Sequence, residues 1–105
     1  MADLKVYMVV NLEIKDKEIY RKYEKGFFSF LKKYDGEFIT YDDSFESLEG
    51  SSPLSGGRVI IFSFPSEEKA KQWWNDAEYQ ELSKFRRQAT DTVSLSMIKG
   101  LPPRE

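Results

Sequence analysis

Between Leu4 and Ile14 the chain alternates. Leu4, Val6, Met8, Val10, Leu12 and Ile14 share one side, and Lys5, Tyr7, Val9, Asn11 and Glu13 share the other. A period of two predicts a strand, and its second side is mixed rather than purely charged. After Asp16, a suitable helix cap, the period lengthens. Ile19, Tyr20, Tyr23, Phe27, Phe30, Leu31 and Tyr34 form an apolar stripe at helical spacing. Gly36 stands where a left-handed helix terminus is wanted. Gly26, costly inside a helix, is expected to permit close packing there.

The next runs are shorter. Glu37 to about Leu48 is read as a second strand, because Phe38, Ile39, Thr40 and Tyr41 favour extended chain. "EGSSPLSGG" is a turn-rich connection, too short for a domain linker. "RVIIFSF", from Arg58 to Phe64, reads as a buried strand, and Ser66 caps a helix whose first turn carries Glu67 and Glu68. Ala70, Trp73, Trp74 and Ala77 would share a helix face. Asn75-Asp76 is poor helix interior, however, and Asp76 can cap a fresh turn. The phase then resets onto Tyr79, Leu82, Phe85, Arg86 and Ala89. Thr92 to Gly100 alternates again and closes the pattern, and "LPPRE" is a tail.

Strand, helix, strand, strand, helix, strand with right-handed crossovers predicts an α+β fold. The expected form is a ferredoxin-like βαββαβ sandwich, a four-stranded antiparallel sheet with helices on one face. Residues 1–105 are taken as a single domain, with 101–105 as a C-terminal tail. The uncovered face would carry Tyr7, Val9, Ile60 or Ile61, and Leu95 or Met97. An exposed apolar patch of that size predicts a homodimer pairing two sheet faces.

Composition narrows the chemistry. The 16 basic and 18 acidic residues give a net charge of −2, with no basic stripe, so a nucleic-acid partner is not expected. No run approaches the length of a membrane span and no secretory signal is visible, so a cytoplasmic protein without membrane attachment is expected. The chain has no cysteine and no histidine. Thiolate nucleophiles, zinc–cysteine sites, the commonest neutral-pH base and the usual haem ligand are thereby removed. No metal and no cofactor are expected.

The remaining candidates are polar groups near aromatics. Trp73 is read as core and Trp74 as half-buried packing at the Asp76 break, with a pocket wall as the alternative for either ring. Glu49 and Arg58 could form a buried pair that binds a carboxylate or polarises a carbonyl, or could fasten the loop before the third strand. Arg86 could anchor an anion between helix and sheet, or lie on a solvated face beside Arg87. Tyr23, Tyr79, Tyr20 and Tyr7 are read as packing with a satisfied hydroxyl, ahead of acids or bases. Asn11 is placed towards the sheet's open face, where it needs a partner.

The stretches "IKDKEIYRKY", "YDGEF", "ESLEG", "RVIIFSFPSEEKAKQWWNDAEYQEL", "FRRQA" and the closing "IKG" occur in series. In that order they resemble a small bacterial domain-of-unknown-function family of the dimeric α+β barrel superfamily. That superfamily also holds antibiotic-biosynthesis monooxygenases. The family pattern falls on Asp16, Tyr23, Gly36, Glu49, Gly50, Arg58, Phe64, Ala70, Trp73, Tyr79, Arg86 or Arg87, and Gly100. Two positions depart from it: Ala77, where relatives often carry proline, and Ser63, where they commonly carry an acid. The resemblance implies a dimeric barrel but hands down no catalytic residue. In the haem-degrading branch an asparagine and a tryptophan work with a histidine, which this chain lacks.

Three functional expectations follow. One is a cofactor-independent enzyme acting on a small organic molecule, with an arginine anchor and a tyrosine or glutamate moving the proton. Another is a small-ligand-binding dimer without chemistry. The third is a structural or regulatory dimer whose aromatics are all core and interface. The candidate pocket comprises Glu49, Arg58, Trp73, Trp74, Tyr79, Arg86, Tyr23 and Asn11.

Overall fold

The computed structural model of the chain describes residues 4–50 and 57–101. The centre of the glycine- and serine-rich connection and the end of the tail lie outside these described residues. The elements run β1 (Val6–Ile14), α1 (Lys17–Lys33), β2 (Glu37–Asp42), β3 (Arg58–Phe64), α2 (Glu67–Asn75), α3 (Ala77–Ala89) and β4 (Thr90–Lys99). The strands form one antiparallel sheet in the order β2-β3-β1-β4, with β1 and β3 central. This is the ferredoxin-like α+β arrangement, with the helices on one face of the sheet.

Local chemistry explains most boundaries. Asp16 Oδ1 accepts the N–H groups of Glu18 and Ile19, satisfying two orphan donors at the start of α1. At its other end Gly36 N–H donates to the Leu31 carbonyl at 2.7 Å, and Asp35 N–H to that of Lys32 at 3.1 Å. These are the two bonds of a Schellman ending. The left-handed residue is Asp35, with φ 59°, rather than Gly36 as expected. Aspartate tolerates that conformation. Gly36 is needed for another reason, because a Cβ there would collide with Leu31 and Phe64. Gly26 does permit close approach: a Cβ would lie 2.8 Å from Leu82 of α3.

The break in the second helical segment falls at Asp76, which ends α2 and caps α3. Its Oδ1 accepts Glu78 N–H at 2.8 Å and Tyr79 N–H at 3.1 Å. Its Oδ2 accepts the Tyr34 hydroxyl and, at 2.9 Å, the Lys33 ammonium from the end of α1. One carboxylate thus starts a helix and ties two helical segments together. Ala77 occupies the first helical position of α3.

The core lies between sheet and helices. Val6, Met8, Val10 and Leu12 of β1 and Phe62 and Phe64 of β3 meet Phe27 and Leu31 of α1 and Trp73 of α2. Trp73 is fully buried, 5.4 Å and 75° from Phe62 and 4.4 Å from Tyr79. Edge-on and offset aromatic pairs of this kind add about 0.5–1.5 kcal/mol each beyond area burial.

Strand register settles the other face. Val9 is flanked by Ile61 and Ser96, Tyr7 by Ser63 and Ile98, and Asn11 by Val59 and Ser94. Ile60, Leu95 and Met97 instead pair with Val10 and Met8 on the helix side and pack against the core. The expectation of Leu95 or Met97 on the open face is therefore corrected. Because β4 shifts register at Asn11/Leu12, serines and Ile98 take those places. The second strand is also shorter than expected. It ends at Asp42, where Asp42 Oδ1 accepts the Ser44 N–H and turns the chain.

Candidate functional site

On α1, Tyr20, Tyr23, Glu24, Phe27 and Phe28 fall at i, i+3, i+4, i+7 and i+8, so they present one continuous helix face. That face stands over the sheet and leaves a partly open cavity of ≈ 90 Å³. Its floor is Val10, Leu12, Ile60, Phe62 and Leu95, and Phe38 and Tyr41 of β2 form one wall. Among the described residues, the charged ones that line it are Arg58 at the start of β3, Arg86 in the last turn of α3, and Glu24.

The two arginines are held differently. Arg58 donates from Nε to Asp43 Oδ1 at 2.7 Å and from Nη2 to Asp43 Oδ2 at 3.1 Å, a bidentate pair. Its guanidinium lies 4.4 Å from the Tyr41 ring centre. The pair holds the Asp43 carboxyl below the usual range and raises Arg58 in return. Arg86 is only 4% exposed. Its Nη1 donates to Thr92 Oγ1 at 3.0 Å, its guanidinium lies 5.9 Å from the Tyr23 ring centre, and its buried Nε has no hydrogen-bond partner. No carboxylate forms an ion pair with Arg86 among the described residues. Burying an ion without a counter-charge costs several kcal/mol, so this placement stands out.

The tyrosines near the arginines are held protonated. Burial, assisted by the Glu24 charge, pushes Tyr20 up to about 12, with Arg58 and Arg86 opposing it. Burial raises Tyr23 further, and the neighbouring Tyr79 adds to that. The Tyr23 and Tyr79 hydroxyls bond at 2.7 Å, and burial also raises Tyr79. At neutral pH these groups are hydrogen-bond donors, not bases. The arrangement can bind and stabilise negative charge on an oxygen, as oxyanion sites do. Among the described residues, the carboxylate on its wall is the solvent-exposed Glu24.

Of the residues singled out from sequence, the structure brings Tyr23, Arg58 and Arg86 together at this cavity. Tyr79 is fully buried and is not on the cavity lining, but its hydroxyl bonds that of Tyr23 and it also meets Arg86. Trp73 is core. Trp74, 37% exposed, instead borders a shallow groove with Met8, Leu95 and Met97. Glu49 is exposed and makes no ion pair with Arg58, whose partner is Asp43. Asn11 is buried and donates to the Arg58 carbonyl at 3.3 Å, steadying the strand under the arginine. Sequence reasoning misses Glu24, Tyr41 and Asp43, and leaves Tyr20 as packing. The i, i+4 spacing of Tyr20 and Glu24 on the stripe of Tyr23 is the available signal. Asp43 has none, because it meets Arg58 only through the turn after β2. Among the described residues, no cluster of acids could hold a metal ion and no helix is long and apolar enough to cross a membrane.

Solved structures share this architecture. A protein of unknown function from Rhodopseudomonas palustris superposes with a TM-score of 0.75 at 20% identity, over 96% of this chain and 85% of its own. SnoaB from Streptomyces nogalater, a cofactor-independent oxygenase, matches with a TM-score of 0.58 at 7% identity, over 95% and 96% of the two chains. HapK from Hahella chejuensis matches with a TM-score of 0.58 at 10% identity over the same shares. At these identities the likeness is one of fold, the ferredoxin-like fold of the dimeric α+β barrel proteins. No curated protein matches the sequence. Residues 5–101 match the family described as Domain of unknown function (DUF1330), and the chain belongs to that family.

Proposed function

We propose that the protein is a homodimeric α+β barrel that acts on a small organic molecule in the cavity under α1, without a cofactor. The observation that carries this reading is a mostly apolar cavity into which Arg86, Arg58 and the Tyr20 and Tyr23 rings converge. Ligand sites are built this way, with an apolar lining and few polar groups. Arg86 and the protonated tyrosines would stabilise negative charge developing on a substrate oxygen, and Glu24 is the group placed to take a proton. The dimer is supported by the sheet face away from the helices, where Val9, Val59, Ile61, Tyr7 and Ile98 lie among serines. Fold likeness to a cofactor-independent oxygenase agrees with the enzyme reading, as analogy only.

One observation favours a second reading, a binding protein without chemistry. Burial pushes the Tyr20 and Tyr23 hydroxyls further from neutral titration, and among the described residues Glu24 is the lining carboxylate. A thermal-shift screen of small organic metabolites, followed by mass spectrometry of the incubated hit, separates the two. A hit consumed by the wild type and untouched by Glu24→Gln supports the enzyme. A hit recovered unchanged supports the binder. If no compound stabilises the fold, the cavity is packing and both readings fall. The dimer is checked by light scattering, and a monomeric mass at micromolar concentration would overturn it.

A further inference from the structure

We propose that the cavity selects a planar organic monoanion of about one ring, whose charged head is held by Arg86. This rests on the reading of the cavity as a small-molecule site and adds the charge and shape of what enters it. Arginine stays charged under all ordinary conditions, so its burial calls for an anion or a network of acceptors. Arg86 is 4% exposed, lines the cavity, and leaves a buried Nε without a partner. The side-chain acceptors around it are neutral hydroxyls, Thr92 Oγ1, which also contacts Thr90 Oγ1 at 3.1 Å, and that of Tyr79. The cavity's other cation is already committed, because both Arg58–Asp43 bonds are made. Glu24 lies on the wall but is solvent-exposed and forms no ion pair among the described residues. The negative charge that would balance Arg86 is therefore absent from the described residues, and a ligand carboxylate or enolate would supply it.

Shape and size restrict the rest. Phe27 and Phe62 meet edge to face at 5.0 Å, and Phe28 and Phe38 at 5.4 Å. With Phe27, Phe28, Phe38, Tyr41 and Phe62 all on the lining, a flat ring can meet these rings by stacking or edge-on contact. A volume of ≈ 90 Å³ is below the roughly 150 Å³ that encloses a whole benzene. The anionic head and part of a ring fit inside, and the remainder projects through the open side.

Benzoate and benzamide test the assignment, since they share a shape and differ in charge. Binding of each to the intact protein would be measured by calorimetry, alongside nitrogen-detected resonances of the arginine Nε–H groups. The expected result is saturable benzoate binding that shifts the Arg86 resonance, with benzamide about ten- to a hundredfold weaker. Arg86→Gln should weaken benzoate by a similar factor and leave benzamide unchanged. Equal binding of the two probes, or saturation without movement of the Arg86 resonance, overturns the anion assignment while the small-molecule reading stands. If neither probe binds, and no larger ring acid or amide does, the small-molecule reading falls with it. The wild-type resonance keeps the test decisive even if Arg86→Gln fails to fold.

Discussion

Two aromatic regions lie side by side under the helices, and Tyr23 belongs to both. In the first, Trp73, Tyr79, Phe30 and Phe64 close on one another. Trp73 sits 4.4 Å from Tyr79 and 5.3 Å from Phe64, and Phe30 is 5.8 Å from Tyr79. In the second, Tyr20, Phe27, Phe28, Phe38 and Tyr41 surround a space they do not fill. Residue types are similar in the two. The difference is that the first region is tied shut from outside by Asp76, whereas the second receives two guanidinium groups. Aromatic content alone does not separate the two regions; the placement of charge does.

The strongest way to break this contrast is to empty the closed region. Trp73→Ala should destabilise by about 3–5 kcal/mol in chemical denaturation, because a packed ring leaves a cavity the neighbours cannot fill. Trp74→Ala, in the half-exposed neighbour, should cost under about 1 kcal/mol. If Trp74 proved the costlier loss, the assignment of the two tryptophans to core and surface would be reversed.

A smaller effect is expected at the border between the regions. Tyr79→Phe leaves the Tyr23 hydroxyl buried without its partner and should cost about 1–3 kcal/mol. Adding Tyr23→Phe removes the orphan, so the double variant should be less destabilised than the sum of the single ones. Additivity in that cycle would show that the hydroxyl bond does not link closed and open regions.

Much of this architecture is legible in the sequence. The period of two in β1, the stripe of α1 and the capping residues Asp16, Ser66 and Asp76 are local signals, and they predict the element order and the helix break. The faces of β3 and β4 are legible only in part. Alternation alone leaves Ile60 and Ile61 undecided, and a register shift opposite Asn11 moves Leu95 and Met97 to the helix side. The site is harder still. Arg58 and Arg86 stand out as candidates in the sequence, but the partner of Arg58 depends on where the turn after β2 delivers Asp43. No spacing rule reports that, and Glu49 is the plausible wrong choice because it precedes the same strand.

Asp76 offers a pH handle on the closed region. Its carboxyl is held well below the usual range, first by the Tyr34 hydroxyl and then by the Lys33 ammonium. A group depressed in the folded state stabilises above its unfolded value, about 3.9 for aspartate. That stabilisation is lost as pH falls through the folded value. Asp76→Ala should therefore cost about 1 kcal/mol at neutral pH through loss of the cap alone. The gap from wild type should hold steady above about pH 5 and narrow below about pH 4. A gap that widened on acidification would contradict the sign of the shift, and an unchanged melting temperature at pH 7 would remove Asp76 as the tie.

The smallest effect, and the sharpest on the contrast itself, is expected at Arg86. A charge buried to strengthen a fold has a partner whose loss is costly. A charge buried for a ligand is a liability until the ligand arrives. Replacing a buried, poorly compensated ion with an apolar side chain of similar volume is often neutral or stabilising. Arg86→Met should therefore leave the melting temperature of the unliganded protein unchanged or raise it. Thr92 loses a donor but retains its contact with Thr90. Function, not stability, would then explain why a guanidinium occupies the place, as expected of sites that trade stability for chemistry. A loss of about 2 kcal/mol or more, of the size seen when buried hydrogen-bonded groups are orphaned, would point the other way. Arg86 would then be fastened by its hydroxyl and ring neighbours as part of the fold, and the open region would differ from the closed one only in packing.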